Sequence, residues 1–146
     1  RCPFCHNSYL ISCKTSSSFI TEEEILTFLR KRKNVLSGVC ITGGEPSLQP
    51  DLVDFIKKIR SLGYKIKLDT NGYLPEVLSD LLKQNLLDYV AMDIKAGTSN
   101  YPLLSGIPGL PLEKITTSIS LIENSGIDYE FRTTVVKELH TTQDMK

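Results

Sequence analysis

The stretch VCITGGEPSLQPDLVDFIKKIRSLG, from Val39 to Gly63, spells out one strand-turn-helix unit. Val39-Cys40-Ile41-Thr42 is an apolar run of the length of a short buried strand, and Gly43-Gly44 ends it. Pro50 stands near the first turn of the helix that follows. Leu52, Phe55, Ile56 and Ile59 recur at helical spacing, and Gly63 marks the C-terminal stop. The unit then repeats. Tyr64 to Leu68 reads as a strand, Pro75 opens a helix through Leu78, Leu81 and Leu82, and Tyr89 to Ile94 reads as a strand. Residues 112 to 124 make a helix and Tyr129 to Val136 a last strand. Upstream, Thr21-Glu22-Glu23-Glu24 is a capping box that starts a helix at Thr21, with Ile20 and Ile25 placed for a hydrophobic staple.

Strands alternating with helices at a period of about 25 residues predict an α/β fold. The sheet is expected to be parallel with right-handed crossovers, either doubly wound or a full or partial barrel. Residues 97 to 111, with prolines at 102, 108 and 111, are the one long irregular connection. With 146 residues, 40% of them hydrophobic, the chain can bury a single core, so residues 1 to 146 are expected to form one domain.

Lys plus Arg and Asp plus Glu number 17 each, which gives no basic excess for nucleic acid or an anionic membrane. Arg30-Lys31-Arg32-Lys33 reads as a solvated helix end that suits the macrodipole. No apolar run approaches the ~18 residues needed to span a bilayer, and no export signal is visible, so a cytoplasmic protein is expected. The sequence opens on Arg1 rather than Met, with Cys2 next, as though it began inside a longer chain.

Ligands in such folds bind at the C-terminal ends of the strands. Those ends read Thr42-Gly43-Gly44-Glu45-Pro46, Asp69-Thr70-Asn71-Gly72 and Asp93-Ile94-Lys95, with Arg132-Thr133-Thr134 inside the last strand pattern. Singly, each is an ordinary turn or cap. Four polar ends facing one mouth point to a site, because a buried Asp, Lys or Arg must be paired or bind something.

Of the four cysteines, Cys13 and Cys40 read as structural, Cys40 as a small hydrophobe within its apolar run. Cys2-Pro3-Phe4-Cys5-His6 has three readings on its own residues: a haem attachment pattern, half a zinc site, or a redox dithiol. Thiolates are also soft ligands suited to iron-sulfur clusters.

Arg1-Cys2-Pro3-Phe4-Cys5-His6-Asn7 resembles the tail of the C-x3-C-x2-C cluster loop of radical S-adenosylmethionine (SAM) enzymes. Thr42-Gly43-Gly44-Glu45-Pro46 is similar to that family's glycine-glycine-glutamate-proline motif. Asp69-Thr70-Asn71-Gly72, Met92-Asp93-Ile94-Lys95 and Phe131-Arg132-Thr133-Thr134-Val135-Val136 resemble in particular its glycyl-radical-enzyme activating proteins.

The resemblance implies a partial (β/α) barrel with outer helices, lacking the first strand and the C-terminal part. It implies a [4Fe-4S] cluster with Cys2 and Cys5 as two of three ligands, the third falling before Arg1. It implies SAM bound by Gly43, Gly44 and Glu45 at its ammonium and by Arg132 at its carboxylate. Asp69, Asp93 and Lys95 are the remaining polar residues of that site, where such carboxylates can also hold a monovalent cation. Reductive cleavage of SAM would give a 5'-deoxyadenosyl radical, which takes hydrogen from a glycine of a partner. The implied partner is a glycyl-radical enzyme such as anaerobic ribonucleotide reductase or pyruvate formate-lyase, and the implied reductant a flavodoxin or ferredoxin type. Phe4 would shield the cluster, touch adenine or simply pack. The rival readings are a radical SAM enzyme acting on another peptide or small molecule, a non-catalytic fragment, and, last, a haem-binding electron carrier.

Overall fold

The computed structural model describes residues 2–5, 8 and 19–145. Arg1, His6, Asn7 and Cys13, which the sequence reading used, lie outside the described residues. Four strands, β1 (Gly38–Ile41), β2 (Lys65–Thr70), β3 (Tyr89–Asp93) and β4 (Asp128–Arg132), form one sheet. Its order is β1-β2-β3-β4, and every pairing is parallel. Between them run α1 (Glu22–Arg32, before β1), α2 (Leu52–Ser61), α3 (Pro75–Lys83), α4 (Tyr101–Ser105) and α5 (Leu112–Glu123). A sheet that advances strand by strand without reversing its order is a barrel segment, because a doubly wound sheet needs a switch point.

The alternation of strand side chains separates the two faces. Ile66, Leu68, Val90 and Met92 point to the helices and are buried with Ile56, Ile59, Leu81 and Ile122. The residues between them on the strands, Lys67, Asp69, Ala91 and Asp93, face the other way, in register with one another and with Glu130 and Arg132. That second face is therefore largely polar, as suits an inward-facing barrel wall open to a charged ligand.

The helix starts follow their signals. Thr21 caps α1 by accepting the Glu24 N–H at 3.3 Å, while the Glu24 carboxylate accepts the Thr21 N–H at 2.7 Å. Pro75 opens α3, and Gly63 ends α2 with φ +85°. The Tyr64 hydroxyl donates to the Leu29 carbonyl at 2.6 Å and joins α1 to the sheet. Asp88 accepts from Arg60 at 2.6 Å and from the Ile66 N–H at 2.8 Å, so α2 is tied to β2 at the opposite end of the strands from the polar mouth.

Four expectations need correction. Cys40 is exposed, not a buried hydrophobe. It alternates with the buried Ile41 and pairs in register with Lys67, which puts it on the polar face. Residues 97 to 111 are not wholly irregular, since α4 sits within them, with Pro102 in its first turn and Gly106 capping it at φ +70°. Five residues are too few for a helical period to show. β4 ends at Arg132, so Thr133 to Val136 lie beyond the strand. Ile20 keeps 74% of its surface exposed, so the staple with Ile25 is not closed.

Candidate functional site at the C-terminal ends of the strands

The loop after β1 is built around one carboxylate. Pro46–Leu48 is a single 3-10 turn with Glu45 as its cap. Glu45 Oε1 accepts the Ser47 hydroxyl at 2.6 Å, the Ser47 N–H at 3.2 Å and the Thr70 hydroxyl at 2.8 Å. Its Oε2 accepts the Asn71 N–H at 2.7 Å. Four donors use up most of what a carboxylate can accept, so in this structure Glu45 fastens its loop to the end of β2. Gly43 has φ +155° and a Cβ there would meet open space, so conformation rather than crowding asks for glycine.

Below the mouth the inward side chains form an ion ladder. Lys67 reaches Glu130 at 3.1 Å and Asp69 at 3.7 Å. Arg132 lies between Asp69 (3.4 Å) and Asp93 (3.2 Å), and Lys95 meets Asp93 at 2.8 Å. Burial works against the Arg132 charge, but Asp69 and Asp93 outweigh it and raise its pKa. The hydrogen bond that Lys67 donates to Glu130 similarly raises the pKa of Lys67. Although Cys40 as a residue is exposed, partial desolvation of its thiol against the polar wall, with the Asp69 charge adding to it, pushes the thiol pKa up. One atom of the ladder is orphaned. Asp69 Oδ1 is buried without a hydrogen-bond partner among the described residues, the Lys67 ammonium standing too far off to donate.

Cys2 and Cys5 sit in one turn, closed by the Cys5 N–H on the Cys2 carbonyl at 3.2 Å. The Cys2 thiol donates to the Ser105 carbonyl of α4 at 3.6 Å. Phe4, between the cysteines, meets His140 edge to face with ring centres 5.7 Å apart. His140 Nδ1 accepts the Val136 N–H at 3.1 Å, and Nε2 faces the Lys95 carbonyl at 2.9 Å, which fits the tautomer protonated on Nε2. The segment after β4 thus returns across the end of β3 and holds the cysteine turn from above.

Cys2, Cys5, Gly43, Gly44, Glu45, Asp69, Asp93, Lys95 and Arg132 all line a single cavity of about 460 Å³. Ligand pockets commonly hold ~300–1,000 Å³, so the space is of the right order for a nucleoside-sized molecule. A larger cavity of about 610 Å³ lies on the other side of the same loop, lined by Ile25, Leu52 and Phe55 among others, without a cysteine or a cation. Among the described residues no three His, Cys, Asp or Glu side chains are grouped to hold a metal ion. Ser105 and His140 were not singled out by the sequence reading. They come to the site from far along the chain, and no local motif announces them.

The sequence profile of the radical SAM superfamily matches residues 1–141. The chain belongs to the radical SAM superfamily. It is 32% identical over 154 residues to a Methanocaldococcus jannaschii protein named, provisionally, as a glycyl-radical enzyme activating enzyme, which covers the whole of this chain and 61% of that protein. A Saccharolobus islandicus protein named, again provisionally, as a GTP 3',8-cyclase is 33% identical over 98 residues, or 66% of this chain and 31% of that one. The chain therefore spans less than two thirds of the length of these radical SAM relatives. The structure of native anSMEcpe with bound AdoMet and Kp18Cys peptide superposes with a TM-score of 0.65 at 17% identity, over 90% of this chain and 38% of that one. At that identity the likeness is one of fold, and it agrees with the barrel segment seen here. No helix among the described residues is long and apolar enough to cross a membrane.

Proposed function

We propose that this chain is the SAM-binding portion of a radical SAM activating enzyme that generates a glycyl radical on a partner protein. The observation that carries the reading is the single cavity on which two thiols, two glycines and four members of the ion ladder, Asp69, Asp93, Lys95 and Arg132, converge. The residues fit the cofactors that membership of the family implies. Cys2 and Cys5 offer soft sulfur to iron. The open side of Gly43 leaves backbone accessible, and the orphaned Asp69 Oδ1 leaves acceptor capacity in the mouth.

In this reading a [4Fe-4S] cluster and SAM, when bound, supply a 5'-deoxyadenosyl radical able to take hydrogen from a backbone glycine. Cys2 and Cys5 would serve as two of the thiolate ligands of that cluster. The carbonyls of Gly43 and Gly44 receive the methionine ammonium, with Glu45 holding their loop in place and adding negative charge behind it. Arg132 turns its planar guanidinium to the carboxylate, for which bidentate contact suits it. Asp69, Asp93 and Lys95 keep that guanidinium oriented, and Asp69 with Asp93 offers a place for a monovalent cation. Phe4 covers the cysteine turn and excludes water. The partner is a glycyl-radical enzyme of the anaerobic ribonucleotide reductase or pyruvate formate-lyase kind, and electrons come from a flavodoxin or ferredoxin-type donor in the cytoplasm.

The test is anaerobic reconstitution of the full-length protein with iron and sulfide, followed by reduction in the presence of SAM. We expect 5'-deoxyadenosine and, with the partner added, a glycyl-radical EPR signal. Cleavage without a radical on any glycyl-radical enzyme would favour action on another peptide or small molecule, a reading supported by the resemblance to the GTP 3',8-cyclase. Zinc or haem in place of iron-sulfur, with no cleavage, would overturn both.

A further inference from the structure

No motif surrounds His140, yet both of its ring nitrogens are engaged. Nδ1 accepts the Val136 N–H at 3.1 Å, and the Nε2–H points at the Lys95 carbonyl at 2.9 Å. A ring bonded in this way has no lone pair to spare for a metal or a moving proton. What it still offers is its carbon framework. Phe4 packs there, with ring centres 5.7 Å apart and planes inclined at 61°, which is the edge-to-face arrangement that aromatic pairs prefer.

The segment that carries His140 is itself pinned. The Leu139 and His140 N–H groups both close on the Val136 carbonyl, at 3.0 and 2.9 Å. Asp144 accepts the Thr141 N–H at 2.8 Å and the Asn100 side-chain amide at 2.9 Å. A Cβ on Gly97 would stand 3.2 Å from the Asp144 Cα, so the two backbones lie against each other there. Residues 136 to 145 thus form a strap fastened to the connection after β3 at Lys95, Gly97 and Asn100. The cysteine turn is held more lightly. One backbone hydrogen bond of 3.2 Å closes it, and the Cys2 thiol, a weak donor, reaches the Ser105 carbonyl at 3.6 Å.

We propose that His140 is a positioning residue for the cysteine turn: its locked ring sets the place of Phe4 and thereby holds Cys2 and Cys5 at the cavity before any iron arrives. Cys2, Phe4 and Cys5 all line that cavity, so a ring that fixes the middle residue places both sulfurs. An aromatic pair of this geometry shifts an equilibrium by roughly two- to tenfold. That the held thiols meet a cluster rests on the function proposed above, whereas the positioning is a property of the iron-free chain.

The experiment uses the full-length protein, iron-free and kept reduced. Alkylation of Cys2, Cys5 and Cys40 by iodoacetamide is read peptide by peptide at one pH, and amide hydrogen exchange is read over residues 136–145. His140→Ala is expected to raise labelling of Cys2 and Cys5 about two- to tenfold relative to Cys40 and to speed exchange in the strap. His140→Gln keeps an amide N–H for the Lys95 carbonyl but has no ring. It is expected to restore slow exchange in the strap while leaving the two cysteines as reactive as in His140→Ala, a split that an anchoring role alone does not produce. In a Phe4→Ala background, adding His140→Gln is expected to change cysteine labelling no further, because the contact through which the ring acts is already gone. Native-like labelling of Cys2 and Cys5 in His140→Gln, or a further rise when it is added to Phe4→Ala, would overturn the inference. Should His140→Ala fail to fold, the glutamine and Phe4 variants carry the same comparison. A native protein that assembles no iron-sulfur cluster on reconstitution while the labelling pattern holds would refute the proposed function and leave the positioning in place.

Discussion

Glu45 Oε2 accepts the backbone N–H of Asn71 at 2.7 Å, so a side chain from the loop after β1 closes the end of β2. Replacing it strips partners from Asn71, Thr70 and Ser47 together. Glu45→Ala is expected to lower the unfolding free energy by about 2–3 kcal/mol, in line with charged hydrogen bonds whose donors are left unpaired. Glu45→Gln, which keeps one acceptor oxygen, should cost less. Urea unfolding at neutral pH measures both, and an alanine variant within about 0.5 kcal/mol of native would show that the brace is idle.

Gly72 follows with φ +72°, and a Cβ there would overlap the Met92 side chain, which is fully buried. Gly72→Ala combines left-handed backbone with a core clash, and costs of about 1–3 kcal/mol each are usual for either fault. We expect a lower melting temperature together with weaker SAM binding, because Gly72 belongs to the same turn as Asn71, which lines the cavity of about 460 Å³. Relief by shortening Met92 to Ala in the double variant would tie the loss to that contact.

Cys5→Ala in the full-length protein is expected to abolish cluster assembly, read as iron content and the visible absorbance of the reconstituted sample. Cys40→Ala is expected to leave both intact. Cys40 faces the same polar wall, yet it lies within β1 rather than in the cysteine turn. Equal loss from the two substitutions would show that Cys40 has been misassigned.

Cys40 also has a pH signature. Partial desolvation of the thiol and the Asp69 charge raise its pKa, so at a given pH less of it is thiolate than in an ordinary cysteine, and its alkylation rises only as pH passes above the usual thiol value. Peptide-resolved mass spectrometry of iodoacetamide labelling across pH 7–11 reads this directly. Asp69→Asn removes the opposing charge and is expected to move the profile to lower pH. A profile that ignores that substitution would contradict the contact.

Arg132→Lys is the last test of the ladder. A lysine keeps the charge but not the planar fork, so it cannot reach Asp69 and Asp93 together as the guanidinium does. The expected result is a KM for SAM raised about tenfold or more, corresponding to the loss of roughly 1.4 kcal/mol or more, with little change in melting temperature.

Most of the frame could be read from local signals. Thr21 and Glu24 announced the start of α1, Pro75 that of α3, and the polar ends of β1, β2 and β3 gathered at one mouth because parallel strands with helical crossovers leave them no other place. The failures share a cause. Cys40 was judged by its apolar neighbours in sequence, but its surroundings are set by Lys67 across the sheet and Asp69 beyond it. α4 escaped notice because a five-residue helix with a proline in its first turn shows no period. His140 reaches the cysteine turn and the end of β3 through contacts with residues 136 and 45 positions away in sequence, which no window along the chain can register.

The ion ladder pairs three cations, Lys67, Lys95 and Arg132, with three anions, Asp69, Asp93 and Glu130. An incoming amino-acid zwitterion brings one charge of each sign. It can be admitted by an exchange of partners, each ionic contact that opens being replaced by another that closes, with no net charge gained by the pocket and no counterion set free. Association of that moiety should accordingly depend little on ionic strength, and discrimination would rest on where the charges stand rather than on how many there are. A wall of this kind is a rack of interchangeable sockets, able to receive different zwitterionic ligands while the strands that carry it stay as they are.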